Sequence, residues 1–378
     1  VRRAQERRHR SRGGWLKRTV VGTVVAALLP FGASAVVAGP AAAEYDSAGF
    51  DFFVDSSMGS VKNRIFRAAD GNTDRVVYLL DGERAESSLN GWELHTSIPA
   101  ALTKFNINVV MPVGGMSSFY VDWDAPSSFA GYNLEATGLP SGSAIDGFSE
   151  TMGKTNTYAW ESYLTKDLKN ALRNKLGFSD SRNGVVGLSM GGGAALMMAA
   201  YHPDQFVYAG SLSGYLYMSA PGMREALRLA MFAAGGYNID CMTAAGSEKW
   251  NRMDPYQFMP QLIANGTQLY IGNGSAIPAS QDLTSTDAIT LGMPLEGIAL
   301  ANTKAFQSKL NGLGYDKVTY DFPEYGIHNW GTWEQMANRV MPDIAKYIGK
   351  PLPAGAQPPP PADGQPGGQG APGGAPQN

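Results

Sequence analysis

The stretch VVGLSMGGGAALMMAAYHP, Val185 to Pro203, reads as a strand that turns sharply into a helix. An apolar run ends at Gly187, then Ser189 and three consecutive glycines precede a second apolar run. Gly187 to Gly191, GLSMG, satisfies the G-x-S-x-G pattern between a strand and a helix, the context a nucleophile elbow needs. The glycines answer a steric demand. A turn tight enough to lift a serine hydroxyl clear of the main chain leaves no room for Cβ atoms two positions either side. A helix beginning near Met190 also aims its positive dipole end at an oxyanion forming beside Ser189. The competing reading is a glycine-rich turn that serves packing alone. A phosphate cradle is excluded, because no GK[ST] follows.

Outward from the elbow the same design recurs. DRVVYLLDG (Asp74 to Gly82) and INVVMPVGG (Ile107 to Gly115) are near-continuous apolar strands ending in glycine loops. QLYIGNG (Gln268 to Gly274) and KVTYDFPEYG (Lys317 to Gly326) repeat it. Helical patterns lie between them: SYLTKDLKNALRNKLG, GGAALMMAAYHPDQF, MREALRLAMFAAGG and LEGIALANTKAFQSKLNGLG. Strands apolar on both faces and separated by helices predict an α/β fold, with a mostly parallel central sheet and helices on both faces. Ligands then bind at loops beyond the carboxyl ends of strands, here LLDGERA, MPVGGMSSFYVDWD, GLSMGGG, IGNGSA and EYGIHNW.

A serine hydroxyl is a weak nucleophile and needs a base titrating near neutrality. The chain has four histidines. His9 falls in the leader described below, and His202 ends the helix after the elbow, where a capping or surface role is ordinary. His95 follows an early strand and can face the site. His328, in EYGIHNW, follows the last strand, and the chain order Ser, acid, His selects it as the base. The acid stays open between Asp282, Asp287, Glu296 and Asp316.

The ends read differently. Residues 2–18, RRAQERRHRSRGGWLKR, are basic, and an apolar run and PAAAE follow. This is the pattern of a secretory signal peptide over 1–43, cut after Ala43. The rival is a permanent membrane anchor, against which Pro30 and several Gly and Ala interrupt the apolar run. The first 43 residues hold eight basic residues and one acidic, so the net charge of −3 becomes −10 without them. That balance excludes nucleic acid as the partner. A single cysteine, Cys241, excludes an intramolecular disulfide, and no cysteine–histidine pattern suggests a metal. Residues 351–378 are almost all Pro, Gly, Ala and Gln, a composition expected to stay disordered. One folded domain is expected over 44–350.

Much of that domain resembles the mycolyltransferase family, the antigen 85 complex and its corynebacterial relatives, on an α/β-hydrolase fold. The segments that carry the resemblance include DSSMGSVKN, VYLLDGERA, VMPVGGMSSFYVDW, GLSMGGG, YAGSLSGYL, ANGTQLYIGNG and GIHNW. The resemblance implies Ser189 as nucleophile, His328 as base and Glu296 as the acid that orients it. It implies an oxyanion hole from the backbone N–H groups of Met190 and Glu83, the latter where the family tends to carry an apolar residue. It assigns Asp81 and Arg84 to sugar binding, with a strand-end turn and surface salt bridge as the plainer reading. His95, where the family usually has Asn, and Trp330 complete the implied sugar side. The implied activity passes a mycolyl group from trehalose monomycolate to trehalose or arabinogalactan, in the cell envelope, with no cofactor or metal. A candidate acyl lining is Tyr215 to Tyr237, whose periodicity equally suits a core helix. A secreted carboxylesterase and a non-catalytic surface-binding protein are the competing functions.

Overall fold

The computed structural model describes residues 49–130, 151–284, 286 and 288–349. The signal peptide, the Pro/Gly tail and Asp287 lie outside them. Eight strands form one sheet in the order β1-β2-β4-β3-β5-β6-β7-β8. They are β1 (Phe50–Ser56), β2 (Gly59–Phe66), β3 (Val76–Leu80), β4 (Asn108–Pro112), β5 (Asn183–Leu188), β6 (Phe206–Leu212), β7 (Gln268–Gly272) and β8 (Val318–Asp321). β1 and β2 form an antiparallel hairpin whose second strand runs antiparallel to β4. All the remaining pairings are parallel. The sheet is the mostly parallel one of an α/β-hydrolase.

β3 shows why its sequence is apolar throughout. Val76, Tyr78 and Leu80 pack into the core on one face, while Val77 and Leu79 enter a second core on the other. Helices supply both covers: α1 (Gly91–His95), α2 (Ile98–Lys104), α3 (Met190–Tyr201), α4 (Met223–Gly235), α5 (Pro255–Asn265), α6 (Met293–Gly312) and α7 (Trp330–Tyr347). α7 turns Trp333, Met336, Ala337, Val340, Met341 and Ile344 inward at three- and four-residue spacing, the stripe a core-facing helix needs. Residues 162–177, expected as one helix, belong to a run of α and π turns from Trp160 to Leu176, ended by Gly177 in the left-handed conformation. The expected helix through Phe206 instead stops at Tyr201, with His202 as its C-cap, and Phe206 begins β6. Among the described residues, no helix is long and apolar enough to cross a membrane.

Register assembles the loops. Leu80 pairs with Gly187, Leu188 with Leu212, and Leu212 with Gly272. The residues just past those strand ends, Asp81, Ser189, Ser213 and Asn273, therefore emerge side by side at one edge of the sheet.

α1, which sets the main chain beside Asp81, is pinned from behind. Arg64 on β2 donates to both carboxylate oxygens of buried Glu93, at 2.6–3.1 Å, and to Asp51 at 2.8 Å. Removing one partner of a buried ion pair strands the other charge. Glu93→Ala should cost about 3 kcal/mol in urea unfolding, seen as a lower midpoint at unchanged slope.

Candidate active site

Ser189 sits between β5 and α3 with φ 51° and ψ −119°, a conformation that strains a residue bearing a Cβ. Two neighbouring glycines permit it. A Cβ on Gly187 would stand 2.1 Å from the carbonyl oxygen of Gly191, and one on Gly191 would stand 2.5 Å from that of Asp81. The Ser189 N–H donates to Leu212 O at 2.8 Å, which ties the turn to the end of β6.

The turn presents Ser189 Oγ to His328 Nε2 at 2.8 Å, and His328 Nδ1 lies 2.8 Å from Glu296 Oε2. Glu296 is fully buried in the first turn of α6. Its other oxygen accepts from Ser213 Oγ at 2.7 Å, Asn273 Nδ2 at 3.0 Å and Gly274 N. Trp333 Nε1 donates in turn to Ser213 Oγ at 3.1 Å. The imidazole is held between the edge-on ring of Trp333, 4.9 Å away, and the stacked ring of Tyr215, 6.1 Å away. A hydroxyl, an imidazole and a buried carboxylate in series can pass a proton away from Ser189 Oγ as it attacks a carbonyl.

The other acids left open by spacing are elsewhere. Asp282 accepts from Asn329 Nδ2 at 2.7 Å and so clamps the loop after His328, whereas Asp316 is exposed. His202 lies 2.7 Å from Glu161, away from the serine. Sequence reasoning missed Ser213 and Asn273, and it named Tyr215 only as a lining residue, not as a ring stacked on His328. Ser213 and Asn273 each follow directly on a strand that pairs with its neighbour to the last residue, a signal available once β6 is recognised.

Met190 is the first residue of α3, so its N–H has no partner within the helix. The N–H of Glu83 makes no main-chain hydrogen bond among the described residues. The chain there runs against the serine: a Cβ on Gly82 would lie 3.8 Å from Ser189 Cβ. Asp81 is buried, and its carboxylate accepts from Gly82 N at 2.7 Å and Gly91 N at 2.6 Å. Burial raises its pKa to about 6, against the two amides that lower it. Arg84 is exposed and forms no ion pair among the described residues, so the surface salt bridge of the plainer reading is not made. Trp330 packs on this turn, 6.0 Å from Trp92 and 4.8 Å from the ring of exposed His95. Of the stretch 215–237, Tyr215 and Met218 line a narrow apolar cleft beside Ser189 with Phe119, Met190, Met197 and Met253. Met223, Leu227 and Met231 instead enter the core.

Burial also pushes the Glu83 carboxyl up to about 8 from an ordinary 4.5. A carboxyl raised on folding contributes stability that is complete below pH 4.5 and is lost as pH rises through 8. Glu83→Gln should remove a loss on the order of 3 kcal/mol between those limits. Unfolding free energies of both proteins across pH 4.5–8.5 test this, and a pH-independent difference refutes it.

Comparison with known proteins agrees with this architecture. The Esterase family model ("Putative esterase") matches residues 64–343. The diacylglycerol acyltransferase/mycolyltransferase Ag85B of Mycolicibacterium smegmatis is 35% identical over 349 residues, covering 89% of this chain and 98% of the relative. Ag85C of Mycobacterium avium is 33% identical over 88% of each chain. The crystal structure of Mycobacterium tuberculosis MPT51 (FbpC1) superposes with a TM-score of 0.63 at 24% identity, covering 80% of this chain and all of that one. FphF, a fluorophosphonate-binding serine hydrolase of Staphylococcus aureus, superposes at 0.52 and 16% identity, over 79% of this chain and 98% of its own. With the strand order, the parallel pairing and these identities in hand, the chain belongs to the Ag85 mycolyltransferase family of α/β-hydrolase-fold esterases.

Proposed function

We propose that this chain is a secreted serine acyltransferase that moves a mycolyl group from trehalose monomycolate to trehalose or arabinogalactan. The observation that carries the reading is the hydrogen-bonded series Ser189, His328, Glu296, set where four strands end together. The names of the relatives support the acyl group, and the basic–apolar leader supports export to the envelope.

In this reading Ser189 Oγ bonds to the ester carbonyl carbon while His328 Nε2 takes its proton. Glu296 holds the Nδ1–H tautomer and the imidazolium that forms. The N–H groups of Met190 and Glu83 receive the oxyanion. Collapse breaks the bond to the trehalose oxygen, which leaves with the proton from His328, and the acyl group stays on Ser189. An acceptor hydroxyl then gives its proton to His328 as its oxygen attacks the acyl carbon, which frees Ser189. The acyl chain enters the cleft beside Ser189, where methionines adapt to its shape. Asp81, His95 and Trp330, which meet around Gly91, and Arg84 on the loop after β3 are the sugar side.

The esterase match favours a second reading, in which water replaces the sugar as acceptor. The two differ in product. Mature protein given trehalose monomycolate should yield dimycolate and free trehalose, whereas free mycolate alone supports hydrolysis. Ser189→Ala should lower turnover roughly 10⁴-fold or more and abolish fluorophosphonate labelling. Wild-type protein that neither labels nor turns over refutes both readings and favours a binding role.

A further inference from the structure

Glu83 departs from what an oxyanion-hole position requires, since only its main chain is used there. Its side chain is half-buried, with Oε1 shut off from solvent and without a well-formed hydrogen bond. Ser117, fully buried on the neighbouring loop, is fastened to it by a Ser117 N–H to Glu83 O bond of 2.9 Å. The Ser117 hydroxyl faces the Glu83 carboxyl closely enough to lower its pKa, yet Ser117 Oγ and Glu83 Oε1 are both buried without a well-formed hydrogen bond. Two buried polar groups thus face each other there with hydrogen-bonding capacity to spare. Buried polar groups in native proteins are nearly always fully bonded, so the pair marks a place where a further partner is expected. The spot adjoins the reacting centre. Gly82 abuts Ser189, Phe119 lines the cleft two residues beyond Ser117, and the Glu83 carboxyl lies within electrostatic reach of Tyr215, which stacks on His328.

We propose that the Glu83 carboxyl and the Ser117 hydroxyl bind a substrate alcohol adjacent to the ester carbonyl. This rests on the acyl-transfer reading above. A neutral carboxyl offers one O–H donor and one free acceptor, and a serine hydroxyl offers both. That set matches an alcohol, which donates and accepts, and gives an anion no charge to pair with. Burial holds the carboxyl neutral at pH 7, which leaves the donor in place. An alcohol within reach of the carbonyl has two sources: the 3-hydroxyl of a mycolyl-type acyl chain, or a hydroxyl of the sugar.

Two ratios measured on wild type, Glu83→Leu, Glu83→Gln and Ser117→Ala distinguish the sources. The first is kcat/KM for 4-nitrophenyl 3-hydroxyhexanoate over that for 4-nitrophenyl hexanoate. The second is partition of the hexanoyl-enzyme between trehalose and water. Each is internal to one protein, so a change in folded fraction or overall rate cancels. A fall of about tenfold in the first ratio for Glu83→Leu, partly restored in Glu83→Gln, assigns the acyl hydroxyl. A comparable fall in the second assigns the sugar. Ser117→Ala, which removes one oxygen, carries the test if Glu83→Leu does not fold. Unchanged ratios in every variant overturn the inference alone, while a wild type that turns over neither ester overturns the acyl-transfer reading with it.

Discussion

Main chain passing against main chain at the elbow is the constraint on which the site depends. Gly187, Gly191 and the carbonyl of Asp81 meet so closely that any side chain at the two glycines would force β3, β5 and α3 apart. Strain of about 1–3 kcal/mol at Ser189 persists only where its surroundings over-determine it. Here they do. α3 is buried at eleven of its twelve positions, from Met190 to Ala200, so it has no solvent side toward which it can relax. The helix that a surface position would let tilt is locked between the sheet and α5, and Ser189 is locked with it.

That same constraint explains which parts of the molecule were legible in the sequence. The elbow, its serine and its histidine could be read because each obeys a local rule: glycine spacing, strand-to-helix context, chain order. β3, β4, β5 and β7 were legible as unbroken apolar runs, since a strand covered on both faces has no polar side to alternate. The β1–β2 hairpin was not. Its FDFFVDS strand alternates, lies at the sheet edge and leaves Phe53 exposed, so it lacks the signature of its neighbours. β6, FVYAGSL, carries Ala, Gly and Ser where large residues would mark a strand, because α3 packs directly over it: a Cβ on Gly192 would stand 2.6 Å from Ser211 Oγ. α7 had a readable stripe, and its polar outer face masked it.

Glu296 was beyond the reach of spacing for a different reason. Six acids lie between Gly274 and His328, four of them weighed as candidates, and what singles one out is the set of donors around it, drawn from three other strand ends. The family resemblance named Glu296, and the geometry gives the name a physical basis. Ser213, Asn273, Gly274 and His328 converge on its two oxygens from loops that are distant in sequence.

Three carboxyl groups therefore gather around one serine, and their surroundings separate what each is able to do. Glu296 meets four donors, one of them the imidazole, and is the group built to face a developing positive charge. Asp81 meets two backbone amides, so it fixes the Gly82–Gly91 turn. Glu83 has only the Arg84 charge and the Ser117 hydroxyl against it, and burial outweighs them and favours its protonated form. Environment rather than residue type decides between holding a charge, holding a loop and offering a proton. In the acyl-transfer reading proposed above, an ionised Glu83 carboxylate would lie beside the forming oxyanion and oppose it, whereas its protonated form does not.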